Sequence, residues 1–132
     1  MRRGRRDGVR GRARTVNGDV IIRGKVGSDL TLEQGRDAAR QTGLSILATL
    51  QAELGDLDRI ERIVKVFGMV NVAPGFTQTP VVINGYSDLI LELYGPDAGP
   101  HARSAVGLAE LPFRIPVEIE AEVEIDGEFL QV

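Results

Sequence analysis

Three features of the sequence predict an α/β (α+β) fold, a two-layer sandwich with two helices on one face of a mixed sheet. The first is a capped segment with apolar residues at helical spacing, Thr31 to Leu54, which at about 24 residues is long enough to cover a sheet face. The second is a β-branched run, Ile60 to Val72, followed by a second helical stretch. The third is strict period-two alternation in Val117 to Ile125.

Asn17-Gly18 is a turn signal, and the β-branched residues after it predict a strand over about Asp19 to Lys25. The segment before it, RRDGVRGRAR, is a poor strand. Ser28 or Thr31 opens the first helix, since Thr31-Leu-Glu-Gln34 has capping-box spacing, and Gly55 stops it. Ile60 to Val72 reads as a long, buried strand in which Gly68 marks a bulge. A loop over Ala73 to Thr79 leads to Pro80, a good first residue for a helix running to Tyr94. Gly85 weakens that helix by roughly 1 kcal/mol against Ala. After the Gly95 to Gly99 loop, a strand is expected over Arg103 to Leu111, then a connection over Pro112 to Pro116. The last strand turns Val117, Ile119, Ala121, Val123 and Ile125 to the core and Glu118, Glu120, Glu122 and Glu124 outward. With both helices on one face, the outer face of the sheet is left bare, which invites an oligomer.

Composition narrows the chemistry. The chain has 132 residues, one domain's worth, with no Cys and a single His, which excludes disulfides, thiol catalysis and His-rich metal sites. No apolar run reaches the roughly 20 residues of a membrane span, so a cytoplasmic location without membrane contact is expected. Residues 1–14 carry seven Arg against one Asp, a charge of +6, whereas residues 15–132 carry -9. The organisation expected is therefore an Arg-rich arm over 1–14 and a single domain over 15–132. The arm could neutralise phosphates, but it lacks an aromatic for stacking and the body would repel nucleic acid, so a nucleic-acid partner is disfavoured.

Chemistry must then come from carboxylates, Arg, hydroxyls or backbone. A row of four Glu is ordinarily a solvated face; half-buried in an oligomer, one of them can orient or deprotonate water. Arg103 opens a strand after a Pro and Gly loop, where its guanidinium either makes a plain surface salt bridge or grips a substrate carboxylate with two prongs. A tight hairpin between Leu111 and Pro116 would set Arg103 opposite Glu124. A site combining Arg103 with Glu118 would then need twist, a bulge or a neighbouring subunit. His101 is expected exposed in its loop, and Ser104 has no triad around it. The glycine-rich pieces match no nucleotide-binding loop, so no cofactor is indicated.

Three blocks carry a family resemblance: Gly24-Lys-Val-Gly-Ser-Asp-Leu; Val70-Asn-Val-Ala-Pro-Gly-Phe-Thr-Gln-Thr-Pro-Val-Val-Ile-Asn-Gly; and His101-Ala-Arg-Ser-Ala-Val-Gly-Leu-Ala-Glu-Leu-Pro with Val117-Glu-Ile-Glu-Ala. From about Gly11 to Ile125 the chain resembles the Rid family of reactive intermediate deaminases, also called the YjgF or endoribonuclease L-PSP family. The resemblance implies a chorismate-mutase-like fold, a homotrimer with clefts between subunits, and hydrolysis of enamines and imines such as 2-aminoacrylate to 2-keto acids and ammonia without metal or cofactor. By the same resemblance, Arg103 would hold the carboxylate of a small imino or keto acid and Glu118 would orient water. Asn84, Ala105 and Gly11 would line the cleft. Two departures stand out. Ala105 occupies a position that is often Cys or Thr in active members, and the Arg-rich residues 1–10 replace a first strand that carries a Tyr. They keep open a second reading, a non-catalytic protein of this fold that binds a small carboxylate or a protein partner.

Overall fold

The computed structural model describes residues 11–12 and 22–132. In chain order the elements are β1 (Gly11–Arg12), α1 (Leu32–Leu54), β2 (Ile60–Asn71), α2 (Thr79–Ala98), β3 (Ala102–Leu108), β4 (Val117–Ile125) and β5 (Glu128–Gln131). All five strands form one mixed sheet in the order β1-β4-β2-β3, with β5 beside β1 on the same side of β4. β2 runs parallel to β3, to which α2 connects it, and antiparallel to β4. Both helices pack on one face, giving the two-layer sandwich that the sequence predicts.

The ends of α1 follow local chemistry. Thr31 accepts a hydrogen bond from the Gln34 N–H, the Gln34 side chain accepts one from the Thr31 N–H, and Gly55 closes the helix at φ 82°. α2 starts with Pro80 in its first turn and is broken by Gly95, at φ 72° and ψ -170°, one residue past the expected end at Tyr94. Between the layers, Val66, Val70, Val117, Ile119 and Val123 meet Ala39, Ile46, Val82, Ile83, Tyr86 and Ile90, all nearly solvent-free. Each large aliphatic or Phe-sized side chain buried this way stabilises the fold by roughly 1.5–3 kcal/mol.

Two glycines permit this packing. A Cβ on Gly68 would lie 2.6 Å from Ile83, and one on Gly85 would lie 2.0 Å from the carbonyl oxygen of Arg36. Gly68 therefore marks a close approach of α2 to the sheet. The irregularities in β2 fall earlier, between Ile60 and Arg62 and between Ile63 and Lys65, so the bulge expected at Gly68 is displaced.

Other differences have physical causes. Residues 22–25 form no strand, and the rest of the strand expected over 19–25 lies outside the described residues, as do the Asn17-Gly18 turn and the arm save Gly11–Arg12. β3 ends at Leu108, because the chain then folds over the outer face, where Leu111 and Ile115 bury against Met69. One end of the outer face is thus covered rather than bare. β3 and β4 do not form a hairpin: β2 lies between them, so Arg103 is not opposite Glu124. β5 follows the turn at Asp126 and Gly127, both at positive φ, which suits a two-residue hairpin. Among the described residues, no helix is long and apolar enough to cross a membrane.

Candidate functional site

Register decides which way the candidate residues point. Arg103 pairs with Val66 of β2, and Val66 pairs in turn with Ala121 of β4. Val66 and Ala121 face the helices, so Arg103 does too. Its guanidinium reaches α2, where Nη1 donates to Asn84 Oδ1 at 2.7 Å and to Ser87 Oγ at 3.2 Å. Asn84 and Ser87 are three residues apart and share one helix face. Arg103 is exposed and makes no salt bridge among the described residues. Nη1 is thus held by the protein, while the Nε–Nη2 edge, the fork that suits a carboxylate, makes no hydrogen bond among the described residues.

Around this cation the contacts continue. Ser87 Oγ lies 3.0 Å from His101 Nε2, and His101 Nδ1 lies 2.7 Å from the carbonyl of Gly99. The ring of His101 sits edge-on to Tyr86 at 6.5 Å. His101 is therefore half-buried and bonded on both nitrogens rather than free in its loop. Ala105, two residues along β3 on the same face as Arg103, has its carbonyl tied to Thr79 Oγ1 at 2.9 Å. Burial pushes the Tyr86 hydroxyl far above the ordinary phenol range, which removes it as an acid or base near neutrality.

Glu118 and Gly11 belong to a different part of the sheet. Glu118 pairs with Met69 and lies three residues from Ala121 in β4, an odd step that turns it to the outer face, where it is only 4% exposed. Gly11 pairs with Ile119, and Arg12 with Glu118, so Gly11 adjoins Glu118 and stands at the far side of the sheet from β3. Strand spacing near 4.8 Å and a rise near 3.3 Å per residue put the Cα atoms of Arg103 and Glu118 on the order of 14 Å apart, with the sheet between their side chains. One copy brings together Arg103, Asn84 and Ala105, and separately Gly11 and Glu118. It does not join the two groups. The rest of the glutamate row is partly offset: Arg62 pairs with Glu124 at 3.2 Å, and Gln131 donates to Glu120 at 3.4 Å. No cluster of three or more His, Cys, Asp or Glu able to hold a metal occurs among the described residues.

Sequence reasoning missed Ser87, whose i, i+3 spacing from Asn84 was the available signal. It also missed a polar knot behind the outer apolar cluster. Lys25 Nζ donates to Asn71 Oδ1 at 2.9 Å and to the carbonyl of Ala109, Asn71 Nδ2 donates to Glu110 Oε1 at 2.5 Å, and Arg114 pairs with Asp29 at 2.9 Å. The Leu111 N–H, followed by the Asn71 amide, holds the Glu110 carboxyl below its usual range.

Residues 5–115 match the model of a family described as "YjgF/chorismate_mutase-like, putative endoribonuclease". Protein TCP17 of Trypanosoma cruzi is 48% identical over 104 residues, which cover 79% of this chain and 65% of that protein, so the match spans less than two thirds of the curated relative's length. The crystal structure of Atu1372 from Agrobacterium tumefaciens, of unknown function, superposes with a TM-score of 0.85 at 41% identity, covering 89% of this chain and 74% of that one. That of a putative endoribonuclease from Shewanella oneidensis superposes with a TM-score of 0.81 at 30% identity, covering 87% of this chain and 76% of that one.

Proposed function

This chain belongs to the YjgF/chorismate-mutase-like family, and on that ground we propose that it hydrolyses small enamines and imines bearing a carboxylate, such as 2-aminoacrylate and its imino tautomer, in a site shared between copies. The observation that carries this reading is the Arg103 guanidinium, held from behind by Asn84 and Ser87 while its Nε–Nη2 edge makes no hydrogen bond among the described residues. A carboxylate-bearing substrate suits that edge. The imine carbon is already electrophilic, so catalysis needs chiefly a positioned water. Glu118 orients that water; it adds to the C=N carbon, and the resulting carbinolamine collapses to a 2-keto acid and ammonia. Neither metal nor cofactor enters the scheme.

Because Glu118 of the same copy faces the other side of the sheet, the reading requires the carboxylate of an adjoining copy. In a homotrimer, the assembly this reading takes, each copy offers one group to the neighbour on one side and the other group to the neighbour on the opposite side.

The test is ammonia release from enzymatically generated 2-iminopropionate. Wild type accelerates it, and Arg103→Ala lowers kcat/KM at least about a hundredfold, as for loss of a charged bidentate contact. An unchanged rate in that variant refutes the reading. Ala105, where active relatives often carry Cys or Thr, favours the second reading, a carboxylate-binding protein without turnover. Thermal stabilisation by 2-ketobutyrate with no ammonia release would select it. An RNA substrate, suggested by the family's endoribonuclease description, is opposed by the outward glutamate row, which repels phosphates.

A further inference from the structure

We propose that His101 and Ser87 are positioning residues for Arg103, forming a directed hydrogen-bond relay from the Gly99 carbonyl to the guanidinium. The inference rests on the reading of Arg103 as the carboxylate grip. The direction of the relay follows from donor and acceptor capacity. A carbonyl oxygen only accepts, so His101 Nδ1 carries the hydrogen in the 2.7 Å contact with Gly99. In the neutral ring Nε2 is then an acceptor, and at 3.0 Å it takes the hydroxyl hydrogen of Ser87. That fixes the Ser87 rotor with its lone pairs toward Arg103 Nη1 at 3.2 Å, while Asn84 Oδ1 accepts the second Nη1 hydrogen at 2.7 Å. Ser87 is only 6% exposed, so water competes poorly for this geometry. Without the imidazole acceptor, the Ser87 hydroxyl is free to rotate and no longer presents a fixed acceptor. The guanidinium, on an exposed edge strand, then regains rotamers in which the Nε–Nη2 edge turns away from the side where a carboxylate would dock.

The guanidinium contacts the carboxylate in ground and transition state alike, so disturbing its support raises KM and leaves kcat nearly unchanged. The experiment combines calorimetric titration with 2-ketobutyrate and steady-state imine hydrolysis, with melting temperatures to show that each variant is folded. Ser87→Ala is expected to weaken binding about tenfold, the size of one charge-assisted hydrogen bond. His101→Phe, which keeps the ring against Tyr86 but has no acceptor, weakens it roughly three- to tenfold. His101→Gln, whose side-chain oxygen can reach the Nε2 position, restores binding to within about twofold. In the Ser87→Ala background, His101→Phe adds nothing further.

A result in which Phe is tolerated and Gln is not overturns the relay, because it shows that the ring acts only by packing. If Arg103→Ala abolishes binding while the Ser87 and His101 variants bind like wild type, the relay alone is refuted. If Arg103→Ala binds and turns over like wild type, or if wild type neither binds nor turns over, the functional reading falls and the relay falls with it.

Discussion

Arg103 and Glu118 stand on opposite faces of one sheet, on β3 and β4, with β2 between them. This relationship separates the chemistry of the proposed site from the single copy that encodes it. A guanidinium on the helix side and a carboxylate on the outer side can serve one substrate only if a second copy supplies one of them.

Arg103→Lys keeps the charge but loses the planar fork and the geometry that Asn84 and Ser87 support. The expected loss in kcat/KM for imine hydrolysis is about ten- to a hundredfold, with a melting temperature near that of wild type. Steady-state kinetics beside a thermal melt check it.

Gly85→Ala sets two effects against each other. Helix propensity favours Ala by about 1 kcal/mol, whereas a Cβ 2.0 Å from the Arg36 carbonyl oxygen forces α1 and α2 apart, an overpacking cost of about 3 kcal/mol. The clash wins, and a net loss of about 2 kcal/mol lowers the melting temperature by roughly 5 °C or more.

Glu110 gives a pH dependence of defined sign. Its folded-state carboxyl lies below the ordinary range, chiefly because of the Leu111 N–H and then Asn71. Its contribution is therefore present above the unfolded carboxylate range and lost as pH falls through the folded value. Glu110→Ala is expected to be less stable than wild type at neutral pH, and the difference should close on acidification. Chemical denaturation across the acidic range measures it.

Much of this architecture can be read from particular residues. Thr31 and Gln34 announce the start of α1 because their side chains bond the helix's own first turn, and Gly55 and Gly95 announce ends because the chain needs positive φ there. The alternation in β4 identifies its two faces correctly, Glu118 on the outer one. Asn84 and Arg103, named from the resemblance, do meet. Strand order is not local information: nothing in β3 or β4 states that β2 will come between them, so the hairpin pairing with Glu124 fails. Ser87 shares a helix face with Asn84 through its i, i+3 spacing, but that spacing does not say that Arg103 and His101 will meet it there, and a His in a loop looks ordinary until its partners are placed. β5 was signalled by Asp126-Gly127, a pair suited to a tight hairpin turn, and is absent from the predicted elements.

The most direct test of the shared site mixes two inactive proteins. Arg103→Ala and Glu118→Gln, each silent alone, are co-refolded in equal amounts and assayed for ammonia release from 2-iminopropionate. If each site draws its guanidinium from one copy and its carboxylate from the next, about a quarter of the wild-type rate returns, the fraction of interfaces in random rings that join two intact groups. A mixture as silent as its components would contradict the account.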